Sequence, residues 1–298
     1  MANPDATSDA EDHQLSNLLT WLMTAVSQQF FHMLILGRSG RKDLVARVRE
    51  VDDQDFPNAM QIIDLMLKTG ASVSIAPHRV APANSAPVIL RTELAFEQRL
   101  QTFLASCEIE SVPGRERLAV ARAPRDDYRA WLASMIQGVG AELPESGGKT
   151  AVPDLYPLLL QLMEQTLLHA FANWHEGQTA EASTSWQISG AAMLYLTALA
   201  PFVGSDDPMA PGLDVPGSTI VEREKRFEVD LQLTRRCAQS AGRLSEASED
   251  AKLRRISRSI AEDCERLMRT KNGGSIEATL GSSKVFQDFR RARNRMES

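Results

Sequence analysis

Apolar residues recur at steps of three and four through most of the chain, the pattern of helices that each bury one face. The first run extends from Leu15 to Leu36 and the second from Arg41 to Thr69. Pro57 lies inside the second run, and we expect it to kink or restart that helix because proline removes a backbone donor and clashes with the preceding turn. Two further runs, at about 89–108 and 125–138, complete four predicted helices.

A stretch rich in Pro, Ala and Ser, at about 71–87, separates the first pair of predicted helices from the second pair. A link of this length allows a crossover, so the expected topology is a four-helix bundle with one crossover connection. After a break at 138–153 the order is repeated, with a proline-containing loop at 204–218 in the position of the first crossover. The helices predicted for this second half span about 154–176, 179–203, 219–244 and 246–270.

Short sequence similarities between the halves are consistent with a duplication. A Phe-Glu pair at 96–97 recurs 131 positions later at 227–228, and an Ala-Met pair at 59–60 recurs 133 positions later at 192–193. The sequence therefore predicts an all-α protein of two tandem four-helix bundles with long crossover loops. The predicted bundles span residues 13–140 and 151–271.

Composition and charge narrow the class of protein. The chain has 298 residues, of which 43% are hydrophobic and 24% charged, and its formal net charge is -6. These values are typical of a soluble globular protein long enough for about two domains. The acidic balance argues against nucleic-acid binding through the whole surface. The longest apolar stretch, at about 188–203, is shorter than the roughly 20 residues of a membrane helix and contains Pro201, so no membrane span is predicted.

Both ends of the chain are polar. Residues 1–12 are small and acidic, with no readable secretory signal or mitochondrial presequence, so we expect a disordered N-terminus and a cytoplasmic location. Residues 272–298 form a basic tail, which we expect either to be solvated or to dock on a protein partner. A protein partner or a homo-oligomer is expected, and nucleic acid is disfavoured. The cations that would dock the tail are Lys284, Arg290, Arg291, Arg293 and Arg295.

The first half resembles the ferritin-like superfamily, and bacterioferritins in particular, over roughly residues 14–140. The second half shares the likeness only through its repeat of the first. The residues that carry the resemblance are Leu18-Leu19, Ala25-Val26, Gln29-Phe30 and His32 on the first helix, Asn58-Ala59-Met60 on the second, Glu93 to Glu97 on the third, and Trp131-Leu132 on the fourth.

Proteins of that superfamily hold two irons with one Glu from each of two helices and a Glu-x-x-His pair from each of the other two. None of the five histidines in this chain has a glutamate three residues before it. The resemblance therefore implies a ferritin-like bundle with a degenerate di-iron site and no cofactor. Of the six ligand positions that it indicates, only Glu97 has a ligand-type side chain, and the other five hold Leu22, Gln54, Pro57, Arg125 and Tyr128.

Glu97 shares a helix face with several leucines, so its carboxylate is expected to point into the bundle, where a buried charge needs a partner. Arg125 is the expected partner, and Tyr128 and Gln54 would complete a buried polar cluster. The same residues could instead line a pocket for a small ligand or hold a metal.

Carboxylates of the second half offer an alternative function, a metal-dependent oxidase or oxygenase that uses iron or manganese. The candidate ligands are Glu164, Glu228, Glu262 and Glu265, of which the last two have the spacing of paired ligands. Trp174 and Trp186 flank a short turn and are expected to pack in the core or between domains, with an aromatic substrate wall as the alternative. The preferred prediction is a non-catalytic structural or binding protein, an accessory or scaffold subunit that has lost the di-iron centre.

Overall fold

Most of the described chain is helical, which confirms the all-α prediction. A computed structural model describes residues 4–139, 152, 154–204 and 212–269, with side chains from residue 10 onward except at residue 139. In these residues the elements are, in chain order, α1 (Pro4–Arg38), α2 (Lys42–Thr69), β1 (Ser74–Ile75), β2 (His78–Val80), α3 (Ala86–Ser106), α4 (Val112–Arg122), α5 (Arg125–Val139), α6 (Leu155–His175), α7 (Thr179–Leu199), a 3-10 turn (Ala200–Phe202), β3 (Leu213–Val215), β4 (Ser218–Thr219), α8 (Arg223–Ala247) and α9 (Ala251–Arg269).

The chain folds into two compact units. The first unit comprises residues 1–150 and 203–217, and the second comprises residues 151–202 and 218–298. This division differs from the predicted one in one respect: the loop that follows α7 is part of the first unit rather than of the second. The chain therefore enters the first unit twice.

In the first unit, α1 packs along α2, and α3 packs against α5. The helix α1 begins at Pro4, so the prediction that residues 1–12 are disordered is wrong for residues 4–12. The helix α2 is a single element that contains Pro57, so of the two effects expected of this proline, a kink or a restart, the restart does not occur. The helix α4, which was not predicted, precedes α5 and buries Leu118 and Ala121. Fully buried apolar side chains between these helices form the core, among them Leu18, Leu19, Leu22, Ile62, Ile63, Leu100 and Leu132.

The predicted loops contain short strands. In the first unit β2 pairs antiparallel with β3, so that His78 lies opposite Val215 and Val80 opposite Leu213. A Cβ atom at position 212, just before β3, would lie 2.7 Å from the carbonyl oxygen of Val80. Only glycine allows so close an approach of the two backbones, and Gly212 occupies this position.

In the second unit, α6 pairs with α7 and α8 pairs with α9. Arg226, near the start of α8, donates to Glu176 at the end of α6 at 2.6 Å. Lys252, at the start of α9, lies 5.9 Å from the ring centroid of Phe202, just beyond the end of α7. The helix α8 therefore starts at the end of this unit where α6 turns into α7. The helix α9 starts at the opposite end, so it finishes near that same turn.

One described helix has the length and composition of a membrane span. The segment Ala10–Arg38 of α1 has a mean hydropathy of 1.2 in its most apolar window, but 67% of that window is buried inside the protein. A core helix of a soluble protein has the same properties, so a membrane span is not clearly indicated.

Candidate functional site

Three helices of the first unit direct charged side chains to one point in its core. Arg125, at the start of α5, donates from Nη1 to Glu97 Oε1 on α3 at 2.7 Å, and from Nη2 to Asp55 Oδ1 on α2. Its Nε donates to the carbonyl oxygen of Ala121 at 3.0 Å. All three charged side chains are at most 2% exposed. We refer to Asp55, Glu97 and Arg125 as the ion triad.

A second group of buried polar side chains surrounds Glu93, one turn before Glu97 on α3. Glu93 Oε1 contacts His32 Nδ1 and accepts from Gln28 Nε2 at 3.3 Å, and Oε2 accepts from the Tyr128 hydroxyl at 3.4 Å. The crossover backbone completes the group, because the N–H of Ala81 donates to Gln28 at 3.3 Å. We refer to Gln28, His32, Glu93 and Tyr128 as the Glu93 cluster.

His32 lies between the carboxyl group of Glu93 and a backbone carbonyl group. His32 Nε2 lies 3.2 Å from the carbonyl oxygen of Ala81, which can only accept, so Nε2 carries a hydrogen. His32 Nδ1 faces the carboxyl group of Glu93, and a hydrogen bond there requires one further proton on either partner. The ring of His32 therefore ties α1 to both α3 and the crossover backbone.

Carboxyl groups outnumber cations around the ion triad. Burial raises the pKa of Glu97 to about 7, although the positive charge of Arg125 opposes this rise. Burial also raises the pKa of Asp52, on α2, to about 7, and repulsion from Asp55 adds to the effect. Burial lowers the pKa of Arg125, but the attractions to Asp55 and Glu97 and the hydrogen bonds with them together outweigh burial and raise the pKa above its ordinary value. The arginine therefore stays charged while nearby carboxyl groups take up protons near neutral pH.

The structure brings together three of the four side chains that the sequence predicted for the polar cluster. Glu97 and Arg125 form the expected ion pair. Tyr128 lies beside them, and its hydroxyl donates to Glu93. Gln54 is not part of the cluster, so this prediction is wrong: its side chain is exposed and donates to the carbonyl oxygen of Glu50 at 3.2 Å.

The position on α2 that reaches Arg125 is Asp55, one residue after the predicted one. Successive residues on an α-helix point about 100° apart, so Gln54 and Asp55 cannot share a direction. The inward-facing pair at a spacing of three is Asp55 and Asn58, rather than Gln54 and Pro57. Asn58 Nδ2 donates to the carbonyl oxygen of Arg117 at 3.0 Å. The spacing of Val48 and Val51 before Asp55 was the sequence signal that could have set this register.

The second unit contains a buried cluster of similar side chains. His169 Nδ1 lies 2.7 Å from Asp230 Oδ1, and Ser185 donates to Asp230 Oδ2 at 3.0 Å. The N–H of Thr219 donates to Gln165 Oε1 at 3.1 Å, which fixes the orientation of the amide. The amide nitrogen of Gln165 then faces His169 Nε2 at 2.7 Å. Because that nitrogen donates, His169 accepts at Nε2 and carries its hydrogen on Nδ1.

These two clusters occupy matching positions in the chain. In each unit the histidine and its acidic partner are 61 residues apart. The turn after the first helix also matches, since Gly40 and Gly177 both have a φ of 76°. A separation of 137 positions joins all of these pairs, namely Gln28 and Gln165, His32 and His169, Glu93 and Asp230, and Gly40 and Gly177.

The Phe-Glu pairs at 96–97 and 227–228, which are 131 positions apart, do not occupy equivalent sites in the two units. Phe96 is 1% exposed, whereas Phe227 is 41% exposed. Glu97 is buried in the ion triad, whereas Glu228 is exposed and accepts from Gln232 at 3.1 Å.

The carboxylates proposed for a metal site in the second unit are not gathered together. Glu164 is fully buried, whereas Glu228, Glu262 and Glu265 are exposed. Glu265 instead pairs with Arg269 on its own helix at 3.2 Å. Within the described residues, no group of three or more His, Cys, Asp or Glu side chains has the arrangement of a metal site.

Trp174 and Trp186 do not pack in the core, so the core position, one of the two expected for them, is wrong. Trp174 is 72% exposed and Trp186 is 53% exposed. The ring of Phe171 contacts Trp186 edge-on, with centroids 6.4 Å apart. Together they line a groove of about 480 Å³ between the end of α6 and the start of α7, which we call the aromatic groove; its lining residues are Ala170, Phe171, Trp174, Thr179, Ala182, Ser183 and Trp186.

The basic tail predicted to dock on a partner lies outside the described residues, together with its five cations. The candidate sites are therefore the ion triad and Glu93 cluster in the first unit, and the His169 cluster and aromatic groove in the second. No family model, curated protein or solved structure matches this chain.

Proposed function

We propose that this chain is a non-catalytic binding protein on a ferritin-like plan, in which the ion triad takes the place of a di-iron centre. The observation that carries the proposal is the position of Arg125, whose guanidinium bridges Glu97 and Asp55 in the core. By the resemblance, Glu97 and Arg125 occupy two of the positions where a ferritin-like protein places metal ligands, and Asp55 lies one residue after a third. A fixed cation there already offsets part of the negative charge of the carboxylates and repels a divalent metal.

Burial of the ion triad supports a structural rather than a catalytic role. A catalytic group must reach a substrate, but the three charged side chains and the Glu93 cluster are almost completely removed from solvent. Their hydrogen bonds join α2, α3 and α5, and through Glu93 also α1, into one arrangement. Buried polar networks of this kind favour one packing of the helices over others.

The aromatic groove supports a binding role. Exposed tryptophans are uncommon on soluble proteins, and aromatic side chains are enriched at interfaces. We also propose that the two units arose by duplication, which the matches at 137 positions support.

The test is the metal content of the purified full-length chain, without a His-tag, measured by elemental mass spectrometry after anaerobic loading with Fe(II) and exposure to air. We expect far less than one iron per chain and no oxygen consumption above the buffer rate. About two irons per chain, the number that a ferritin-like site holds, with oxygen turnover would overturn the proposal. The double variant Asp55→Asn/Glu97→Gln then tells whether the iron is bound at the ion triad.

A further inference from the structure

The aromatic groove continues as an apolar stripe along α7. Ser183, Trp186, Gly190 and Met193 follow one another at steps of three and four, so they lie on one face of the helix. Met193 is 41% exposed. A groove between two helices that extends as an apolar stripe is the surface that an amphipathic helix binds. Its size suits a short segment, because seven residues line the groove, whereas each side of a stable protein–protein interface contributes roughly 20–30 residues.

One segment of the chain outside the described residues has side chains that match the groove. Residues 1–3, 140–151, 153 and 205–211 contain no aromatic residue. The C-terminal stretch contains Phe286 and Phe289, with Val285 beside them, at the spacing of anchors on one helical face. We infer that residues 284–296 of the same chain bind in the aromatic groove, with Phe286 and Phe289 as anchors.

The described chain stops at the same end of the second unit as the aromatic groove. The helix α9 ends where α6 turns into α7, as the contacts of Arg226 and Lys252 show. The helix α9 starts beside Phe202 and has 19 residues, so its last residue lies about 28 Å from Phe202 along the helix axis. Trp186 lies on α7 about 24 Å from Phe202 in the same direction. The end of α9 and Trp186 are therefore at nearly the same height in the unit. Residues 270–284, which include three glycines and three serines, span about 20 Å at this length and composition. This distance matches the width of two adjacent helices.

Charge favours the same occupant. The tail from residue 270 carries six Lys and Arg against three Asp and Glu, so residues 1–269 carry 27 against 36. A basic segment is therefore attracted to the rest of the chain. Arg290 and Arg291 directly follow Phe289, which brings guanidinium groups near the exposed indoles, and arginine stacks favourably on tryptophan. The C-terminal end of α6, beside Trp174, also attracts cations.

Cross-linking in the full-length chain tests this contact. The variant Ser183→Cys/Phe289→Cys places one thiol in the groove and one in the tail, and a short bis-maleimide joins them if they are close. The native cysteines are buried, and burial raises the pKa of Cys237 to about 12, so they react slowly. The matched control is Glu228→Cys/Phe289→Cys, because Glu228 is exposed near the start of α8 but lies outside the groove.

We expect the groove pair to cross-link within one chain about tenfold faster than the control pair, as tethering to a specific site predicts. Equal rates in the two variants would overturn the inference. A covalent dimer as the main product would also overturn it, and would assign the groove to a second copy of the chain.

Tryptophan quenching provides a second readout that does not depend on engineered thiols. In the variant Phe286→Ser/Phe289→Ser, we expect acrylamide to quench tryptophan fluorescence about twofold more strongly than in the wild type, because Trp174 and Trp186 lose their cover. The matched control is Ile276→Ser/Leu280→Ser, in which quenching stays at the wild-type level. Quenching that is unchanged in the first variant would contradict the inference. The inference extends the proposed binding function, but it fails separately from it, since neither readout depends on the metal content.

Discussion

At the scale of single residues, Arg125 is the cation that offsets buried negative charge in the first unit's core. It lies between Asp55 and Glu97, and His32 contacts Glu93 one turn away. A buried ion pair adds little to stability compared with apolar side chains of the same volume, but removing one partner leaves an uncompensated charge. The consequence of losing Arg125 is therefore predicted to differ sharply from that of losing the whole ion triad.

Replacing Arg125 alone is predicted to be severely destabilising. In Arg125→Leu, Asp55 and Glu97 remain buried without their cation, so the free energy of unfolding is expected to fall by about 3–5 kcal/mol. Chemical denaturation followed by circular dichroism measures this loss. The triple variant Asp55→Leu/Glu97→Leu/Arg125→Leu is expected to recover most of it. A triple variant as unstable as the single one would show that Arg125 stabilises the core by packing rather than by charge.

Stability is predicted to fall as the pH rises through neutrality. The folded-state pKa of Asp52 is raised from its ordinary value of 3.8 to about 7, so its contribution is fully present below about pH 4 and is lost as the pH rises through 7. Around it, Asp53, Asp55 and Glu93 oppose ionisation and Arg49 favours it. Asp52→Asn is expected to reduce the loss of stability between pH 5 and 8 by about 2–4 kcal/mol. Denaturation curves that depend on pH equally in both proteins would contradict this.

At the scale of elements, each unit starts with two long helices joined by a short turn that depends on glycine. Gly40 and Gly177 both have a φ of 76°, in the left-handed region, and no atom lies within 4 Å of a Cβ atom placed on either. Steric crowding therefore does not select glycine at these turns. Backbone conformation does, because other residues adopt this region only at a cost in energy.

Two glycine substitutions in the second unit compare a glycine at a positive φ with a glycine inside a helix. Gly177→Ala is expected to destabilise by about 1 kcal/mol, since alanine resists a positive φ. Gly242→Ala, inside α8 with open space around it, is expected to stabilise by about 0.5–1 kcal/mol through helix propensity. Thermal unfolding of both variants measures the two signs. A loss of stability in both would mean that the space at Gly242 is needed.

Helix positions were largely predictable from the sequence, whereas helix faces were not. The bounds of α2, α5 and α6 agree with their apolar periodicity to within about two residues. Apolar periodicity says less about how each helix is rotated about its own axis. An error of one position on α2 therefore placed Gln54 in the polar cluster instead of Asp55. The position of Trp174 beside a turn left a core or an inter-domain location open, because the sequence does not distinguish a buried apolar side chain from an exposed one.

Elements held by distant contacts were missed for a different reason. The strands β2 and β3 are each three residues long, and the residues that they pair are more than 130 positions apart in the sequence. No local sequence pattern therefore predicts them. The cluster around Glu93 likewise combines α1, α3 and α5, whose spacing only the fold reveals. The spacing of Gln28 and His32, repeated at 165 and 169, was the one local signal available.

At the scale of the whole molecule, the path of the chain links its two units covalently in three places. The first unit is completed by residues 203–217, which come after α6 and α7 of the second unit. Val215 and Leu213 on β3 are buried within the first unit, opposite His78 and Val80. A change in β3 should therefore be felt in the first unit, although α6 and α7 precede it in the sequence.

Hydrogen exchange with mass spectrometry tests this assignment. Val215→Asp buries a charge in the β2–β3 pair, so faster exchange is expected in β2 and α1, with α8 and α9 less affected. The matched control is Asp214→Asn on the same strand. It removes an ion pair with Arg79 on β2 that is exposed and therefore contributes little, so exchange should change little. Faster exchange confined to α6–α9 would place β3 in the second unit instead.

This path also sets an order for folding during synthesis on the ribosome. A chain that has reached residue 150 still lacks the segment that pairs with β2, and 67 more residues must be added before residue 217 is made. At about 5–20 residues per second, this delay is roughly 3–13 s. During that time the edge of β2 is unpaired and the first unit remains incomplete, so a nascent chain is expected to need protection from aggregation until β3 emerges. For the same reason, cutting a gene between the two predicted bundles would yield a first fragment without one of its own strands.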